Sequence, residues 1–437
     1  MDINFPANLL HRAVLDEMTP FLAEEGIMLL AGARQTGKTS LLYLLIQELI
    51  TQGTSPSQIV YFDLENISDF NQLNDLTDFN DFIPVLKDLK VDTQKKTFVF
   101  IDEIQHLDNP SSFLKYLHDH YKPRLKFIVT GSSSMEIKKK FTDGLTGRIY
   151  RFLVKPLSFK EFLEFRKEVG LAQKVAGFGL EKTLPVITTT EEKKLQGFLE
   201  EYLVFGGYPA ISLLDKALTK QKTLQEIYSL YIRRDIKDLG KIDDVRGYNK
   251  LAVLLSYQIG NLINEQELSI SSGLSRPTIS KYLFLLENTF ILHQISPFYS
   301  NKRTEITKTP KVYFDDVGLR NAVINNFESL AVRVDKGQLL ENFVYSQLNK
   351  RAGLSDKVRF WRTQSKNEVD FVWQKGMNTP YPLEVKLNFS SKRPLPGGLK
   401  SFIKKYQPPK AFIVHSGSFG SLDYQGCSVS ILPAWAV

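Results

Sequence analysis

The run Gly32-Ala33-Arg34-Gln35-Thr36-Gly37-Lys38-Thr39, with Ser40 behind it, has the residue types and spacing to hold a nucleoside triphosphate. Its glycines let the backbone close around phosphate oxygens, and the amides of the loop and of the following helix supply partial positive charge. Lys38 adds a full charge toward the β- and γ-phosphates, and the Thr39 hydroxyl is placed to ligate Mg²⁺. A glycine turn that merely precedes a helix is the bland alternative, and the complete eight-residue pattern speaks against it. Farther along, Asp102-Glu103 closes the apolar run Thr97-Phe98-Val99-Phe100-Ile101. An aspartate there can hold Mg²⁺ through its water shell, and the adjacent glutamate can polarise water for attack on the γ-phosphate. Capping of the next segment is the competing use of these acids. Together the two motifs imply that the chain binds ATP and hydrolyses it with Mg²⁺.

A second set lies in the last quarter of the chain: Glu341 in Leu339-Leu340-Glu341-Asn342-Phe343, Asp370 in Val369-Asp370-Phe371-Val372, and Glu384 with Lys386 in Leu383-Glu384-Val385-Lys386. Period two puts Glu384 and Lys386 on one face of a strand. Carboxylates around a divalent ion beside a lysine suit phosphodiester cleavage, where the metal activates water and the lysine neutralises charge. A salt bridge between Glu384 and Lys386 on an edge strand is the structural alternative.

Hydrophobic patterning shows which elements must position these residues. Residues 26–32 read as a buried strand, and 40–50 as a helix with Leu41, Leu44, Leu45 and Leu49 on its apolar side. Strand-like runs at 58–64, 97–101, 125–131 and 148–154 alternate with helical stretches such as 111–121, which argues for a parallel sheet covered by helices. The run at 126–131 ends in Ser132-Ser133-Ser134, small polar residues that either contact the attacking water or γ-phosphate or cap the next helix. Residues 191–237 have helical spacing, broken at Phe205-Gly206-Gly207-Tyr208-Pro209. From 248 to 293 the pattern is three short helices, with Ser275 an expected N-cap and Arg276, Thr278, Ser280 and Lys281 at the start of the third. Such a helix start suits a major-groove reader, and equally a structural or dimer contact. After 336 the expected order is helix, three strands, helix, strand. His118-Asp119-His120 and Lys138-Lys139-Lys140 are expected to be solvated, and 69–88 to be a surface loop and helix.

A chain of 437 residues with 43% hydrophobic content is too long for one core, so several domains are expected. A net charge of +8 favours polyanionic partners such as nucleotides or DNA, though excess lysine also serves solubility. The single cysteine, Cys427, excludes an internal disulfide and a multi-cysteine zinc site. No run approaches the roughly 20 apolar residues of a membrane span. The segment Met1-Asp2-Ile3-Asn4-Phe5-Pro6 lacks the pattern of a secretory signal. A cytoplasmic location without membrane partners is therefore expected.

The motifs resemble the AAA+ branch of P-loop ATPases, in particular a prokaryotic family whose acid pair is followed by a strand ending Thr-Gly-Ser-Ser, here Thr130 to Ser133. The likeness continues through Leu145-Thr146-Gly147-Arg148, Pro156-Leu157-Ser158-Phe159-Lys160-Glu161-Phe162 and Gly206-Gly207-Tyr208-Pro209. It implies a sheet in which a strand bearing a polar sensor, best matched by Ser132, separates the acid-pair strand from the P-loop strand. For Arg148 it implies a role at γ-phosphate, in cis or on a neighbouring subunit of a homo-oligomer; a surface salt bridge is the alternative. The C-terminal segment resembles the PD-(D/E)XK nuclease superfamily, specifically the uncharacterised domain that commonly follows this AAA+ family. Asp370, Glu384 and Lys386 match its central signature and Glu341 its helix acid, although no proline precedes Asp370. The expected fold is thus α/β: an AAA+ P-loop domain (1–160), a helical extension (161–240), a winged-helix-like region (241–325) and a restriction-endonuclease-like domain (326–437). The expected function is an ATPase whose nucleotide cycle is coupled to DNA binding or processing. The alternative is an ATP-dependent switch for a protein partner, with an inactive nuclease-like scaffold.

Overall fold

The computed structural model describes residues 5–6, 8–132, 145–176, 186–233, 244–299, 309–376, 380–390 and 392–437. Ser133, Ser134 and the lysines at 138–140 lie outside the described residues. The chain divides into two compact units, Met1–Lys155 and Pro156–Val437. No helix among the described residues is long and apolar enough to cross a membrane.

In the first unit, β1 (Ile27–Ala31), β2 (Ile59–Asp63), β3 (Thr97–Asp102), β4 (Leu125–Gly131) and β5 (Ile149–Leu153) form a parallel sheet in the order β2-β3-β4-β1-β5. The continuous apolar runs follow from burial of both faces. Ile27, Leu29 and Ala31 join one core with Phe62, Ile101 and Val129, while Met28 and Leu30 join another with Phe98, Phe100 and Ile128. Successive side chains thus feed opposite layers, as the period of two requires. Helix α1 (Lys38–Thr51) covers the second face through Leu41, Leu42, Leu45, Ile46 and Leu49. Helix α2 (Pro110–Tyr121) covers the first through Phe113, Leu114 and Leu117. The acid-pair strand β3 is separated from β1 by β4, the order the resemblance implied. Two expectations need correction. The stretch 69–88 is no mere surface loop and helix, since Leu73, Phe82 and Leu86 are core residues. His118 is buried rather than solvated, because its helix turns it to the side of Leu114 and Leu117; His120 points away and stacks on Tyr116 at 4.2 Å.

The second unit begins with helices that include α3 (Phe159–Phe165), α4 (Thr189–Phe205) and α5 (Ala217–Leu230). Reciprocal capping boxes Ser158/Glu161 and Thr188/Glu191 start α3 and α4. The Gly-Gly break after α4 is held by Asp316, whose Oδ2 accepts from the Gly207 amide at 2.7 Å. Next come α6 (Val245–Tyr257), α7 (Glu265–Ser272) and α8 (Arg276–Asn288), then the antiparallel pair β6 (Leu292–Ile295) and β7 (Lys311–Phe314). Ser275 caps α8 by accepting from the Thr278 amide. Helices α9 (Val317–Val323) and α10 (Lys336–Arg351) lead to a sheet of β8 (Lys357–Arg362), β9 (Glu368–Gln374), β10 (Pro380–Val385), β11 (Lys410–His415), β12 (Gly420–Tyr424) and β13 (Cys427–Pro433), with α11 (Gly397–Tyr406) packed on it. Its order is β12-β13-β11-β10-β9-β8. The hairpin β12–β13 was absent from the sequence reading. It turns on Gln425 and Gly426, both at positive φ, and only the second is a residue that announces such a turn.

Candidate functional site

The loop between β1 and α1 is fixed by close backbone approaches. A Cβ at Gly32 would lie 2.2 Å from the Val154 carbonyl oxygen just past β5, so any side chain there would push that segment away. Gly37 has φ 92° and opens α1 with no side-chain cap, so the first turn faces the loop with its own amides. Lys38 is buried, and its Nζ donates to the carbonyls of Gly32 at 3.2 Å and Ala33 at 2.9 Å. The Thr36 hydroxyl donates to Ala33 O at 2.8 Å. Arg12, which no motif singled out, is buried beneath the loop and donates to Thr36 O and Lys155 O, each at 2.8 Å.

The acid pair meets this loop at the C-terminal edge of the sheet. Thr39 Oγ1 donates to Asp102 Oδ2 at 2.6 Å, and the Tyr61 hydroxyl donates to the same oxygen at 3.2 Å. From the intervening strand, Thr130 Oγ1 donates to Asp102 Oδ1 and accepts from the Glu103 amide at 2.8 Å. Glu103 needs this support because its backbone is left-handed, φ 54°, an unfavourable conformation for a non-glycine residue. Gln105 Nε2 donates to Glu103 Oε2 and, at 3.1 Å, to Ser132 Oγ. Burial raises the Asp102 carboxyl, and its hydrogen bonds to Thr130 and Thr39 only partly offset this. Burial also pushes Glu103 upward, but the charge of Lys38 with hydrogen bonds from Gln105 and Ser132 outweighs it, leaving Glu103 below the ordinary range. A hydroxyl and a carboxylate held in contact are the hard oxygen donors that Mg²⁺ takes, so Thr39 and Asp102 fit the ion. Thr130 and Tyr61 were missed by sequence reasoning, which chose Ser132 from the same strand end.

Arg148 lies elsewhere. Its carbonyl accepts from the Ile27 amide, and β5 runs parallel to β1 with Ile149 opposite Ile27 and Leu153 opposite Ala31. Arg148 therefore sits at the N-terminal edge of the sheet, about 16 Å of strand away from the loop. Its guanidinium pairs with Asp119, Nε–Oδ1 2.6 Å and Nη2–Oδ2 3.0 Å.

In the second unit, Glu341 on α10, Asp370 on β9, and Glu384 and Lys386 at the end of β10 are drawn together. Asp370 Oδ2 accepts from the Val385 amide at 2.8 Å, and Lys386 Nζ holds Glu384 Oε1 at 2.6 Å. Tyr313 donates to Glu341 Oε1 at 2.6 Å. Lys311, missed in the sequence, enters from β7: its Nζ pairs with Glu368 and lies 3.7 Å from Glu341 Oε1. Among the described residues no three His, Cys, Asp or Glu side chains are arranged to hold a metal ion.

Burial, reinforced by the charge of Asp370, pushes Glu341 up to about 7 and Glu384 up to about 8, and burial raises Asp370 as well. The folded chain thus keeps protons that an unfolded carboxyl, with a pKa of about 4.3, releases. The stability from this difference is fully present below the unfolded value and is lost as pH climbs through 7 and 8. All three tryptophans, Trp361, Trp373 and Trp435, lie in the second unit. Their fluorescence should report a melting temperature that falls between pH 5 and 8, and Glu384→Gln should flatten the upper part of that fall; an unchanged slope in the variant would show that Glu384 is not its source.

Residues 24–163 match a family model described as AAA domain. Residues 196–330 and 336–435 match two domains of unknown function, DUF8612 and DUF4143. An uncharacterized protein of Methanocaldococcus jannaschii is 26% identical over 377 residues, which is 85% of this chain and 76% of that one. One of Haemophilus influenzae is 25% identical over 366 residues, 83% of this chain and 82% of its own. Among solved structures, a Walker-type ATPase of Pyrococcus abyssi aligns with TM-score 0.45 at 17% identity, covering 72% of this chain and 96% of that one. The ADP form of the Aeropyrum pernix ORC2 protein aligns with TM-score 0.38 at 12% identity, covering 74% and 96%.

Proposed function

With residues 24–163 an AAA-type P-loop ATPase domain, we propose that the chain couples ATP hydrolysis to the binding of DNA through its second unit. The observation that carries the ATPase chemistry is the convergence of Lys38, Thr39, Asp102 and Glu103 at one edge of the sheet. Residues 32–40 cradle the triphosphate, Lys38 exchanges its loop carbonyls for phosphate oxygens, and Thr39 and Asp102 hold Mg²⁺. The ion supplies charge neutralisation on the β- and γ-phosphates. Glu103 orients and deprotonates the attacking water, with Ser132 and Gln105 fixing its carboxylate. Arg148 serves a neighbouring subunit's nucleotide in a homo-oligomer, where γ-phosphate replaces Asp119 as its partner.

The DNA reading rests on α8. Arg276, Ser280 and Lys281 are exposed on its N-terminal half, and the order of a helix pair, α8 and the antiparallel β6–β7 pair supports a winged-helix reading. The helix, strand and helix order around Glu341, Asp370, Glu384 and Lys386 supports a nuclease-like fold for the last domain. Double-stranded DNA should stimulate turnover at low salt, with the effect fading steeply as salt rises. Arg276→Ala with Lys281→Ala should lose the stimulation and keep basal turnover. DNA that changes neither turnover nor the protein's mobility would sink this coupling. The second reading, a switch for a protein partner, draws support from Lys311 among the acids; it expects Asp370→Ala and Lys386→Ala to be silent where Lys38→Ala abolishes function.

A further inference from the structure

We propose that Lys311 is the resident counter-ion of the acid cluster in the second unit and excludes a divalent cation from it, so that this site does not cut phosphodiesters by a metal-dependent route. The inference rests on the nuclease-like reading only for which residues make up the cluster.

Lys311 is the first residue of β7, opposite Ile295 on β6, and its backbone also bridges to Leu262. Only 2% of the residue is exposed. Its ammonium pairs with Glu368, lies 3.7 Å from Glu341 and sits 5.4 Å from the centre of the Phe360 ring. Tyr313, two residues on and hence on the same face of β7, donates to Glu341. One strand therefore delivers both a cation and a hydroxyl to the helix acid.

The remaining carboxylates are engaged by other groups. Arg362 holds Glu368 Oε2 at 3.1 Å, the Val385 amide holds Asp370 Oδ2, and Lys386 holds Glu384 Oε1. Four carboxylates thus face three cations, Lys311, Lys386 and Arg362. Glu384 Oε2 is the cluster oxygen that is buried without a hydrogen bond. An ion bound there would meet the ammonium groups of Lys311 and Lys386 in a poorly screened interior, so charge repulsion, not a shortage of oxygens, is what keeps it out. A buried lysine packed against an aromatic ring cannot swing into solvent to make room, as a surface lysine could.

The test is a Mn²⁺ titration of the full chain without nucleotide, followed by water-proton relaxation. Wild type and Asp370→Asn should take up the same amount of Mn²⁺, because the cluster holds none in either. Lys311→Met should gain one site per chain, at least tenfold tighter than any in wild type, and the double variant with Asp370→Asn should lose it. Mn²⁺ bound by wild type but not by Asp370→Asn would overturn the proposal, and this comparison stands even where Lys311→Met fails to fold. A folded Lys311→Met that gains no site would overturn it too. Neither result bears on DNA-stimulated ATP turnover, so the coupling reading stands or falls separately.

Discussion

Replacing Glu103 by glutamine is expected to stop turnover while ATP remains bound. The substitution keeps the size of the side chain and its place between Gln105 and Ser132, and removes the negative charge that orients water. General-base catalysis contributes about 10²–10⁴-fold, so kcat should fall by that factor. The loop contacts of Lys38 and Thr39 are untouched, so nucleotide affinity should stay within about threefold. Because Lys38, Gln105 and Ser132 hold the Glu103 carboxyl below its ordinary range, wild-type turnover should persist on acidification until the pH falls through that lowered value. Steady-state hydrolysis and fluorescent-nucleotide binding on the two proteins would check both parts. Turnover retained within tenfold would remove Glu103 from the chemistry and shift attention to Asp102.

How far the site could be read from sequence follows from how its residues are connected. Lys38 and Thr39 were legible because the loop is one stretch of eight consecutive residues, and Asp102-Glu103 because a buried strand ends on them. Thr130 reaches Asp102 across 28 residues, Tyr61 across 41, and Arg12 reaches Thr36 across 24. Their partners exist only once the strand order is known. Thr130 and Ser132 illustrate the limit: both are hydroxyl residues at the end of β4, and only the register against β3 shows that Thr130 touches Asp102. In the second unit the cluster around Asp370 was visible as alternation within single strands, whereas Lys311 belongs to β7, outside that sheet, and carried no local mark of its role. The β12–β13 hairpin was hidden for a different reason, a glutamine at a left-handed turn position where asparagine or glycine is usual.

Arg320→Met should destabilise the second unit by about 3 kcal/mol, the low end of what breaking a buried ion pair costs. Arg320 is fully buried on α9. Its Nε and Nη2 donate to the Ser256 carbonyl near the end of α6 at 2.9 and 2.7 Å, and Nη1 donates to Asp335, just before α10, at 2.6 Å. One guanidinium thus ties the helix that opens the α6–α8 group to the helix that carries Glu341. The cost stays at the low end because Asp335 keeps a second partner: Arg333 donates to it through Nε at 2.8 Å and Nη2 at 2.7 Å. Asp335→Asn should cost more, since it leaves two guanidiniums buried side by side without a counter-charge. Burial pushes the Asp335 carboxyl up, but Arg333 and Arg320 outweigh it and hold it at about 2. The stability it supplies is therefore present above the unfolded value near 4 and is lost as pH falls toward 2. Urea unfolding followed by tryptophan fluorescence at pH 7 should rank wild type above Arg320→Met and Arg320→Met above Asp335→Asn. The reverse order for the two variants would mean that the Ser256 carbonyl, rather than the charge pair, is what Arg320 is there to satisfy.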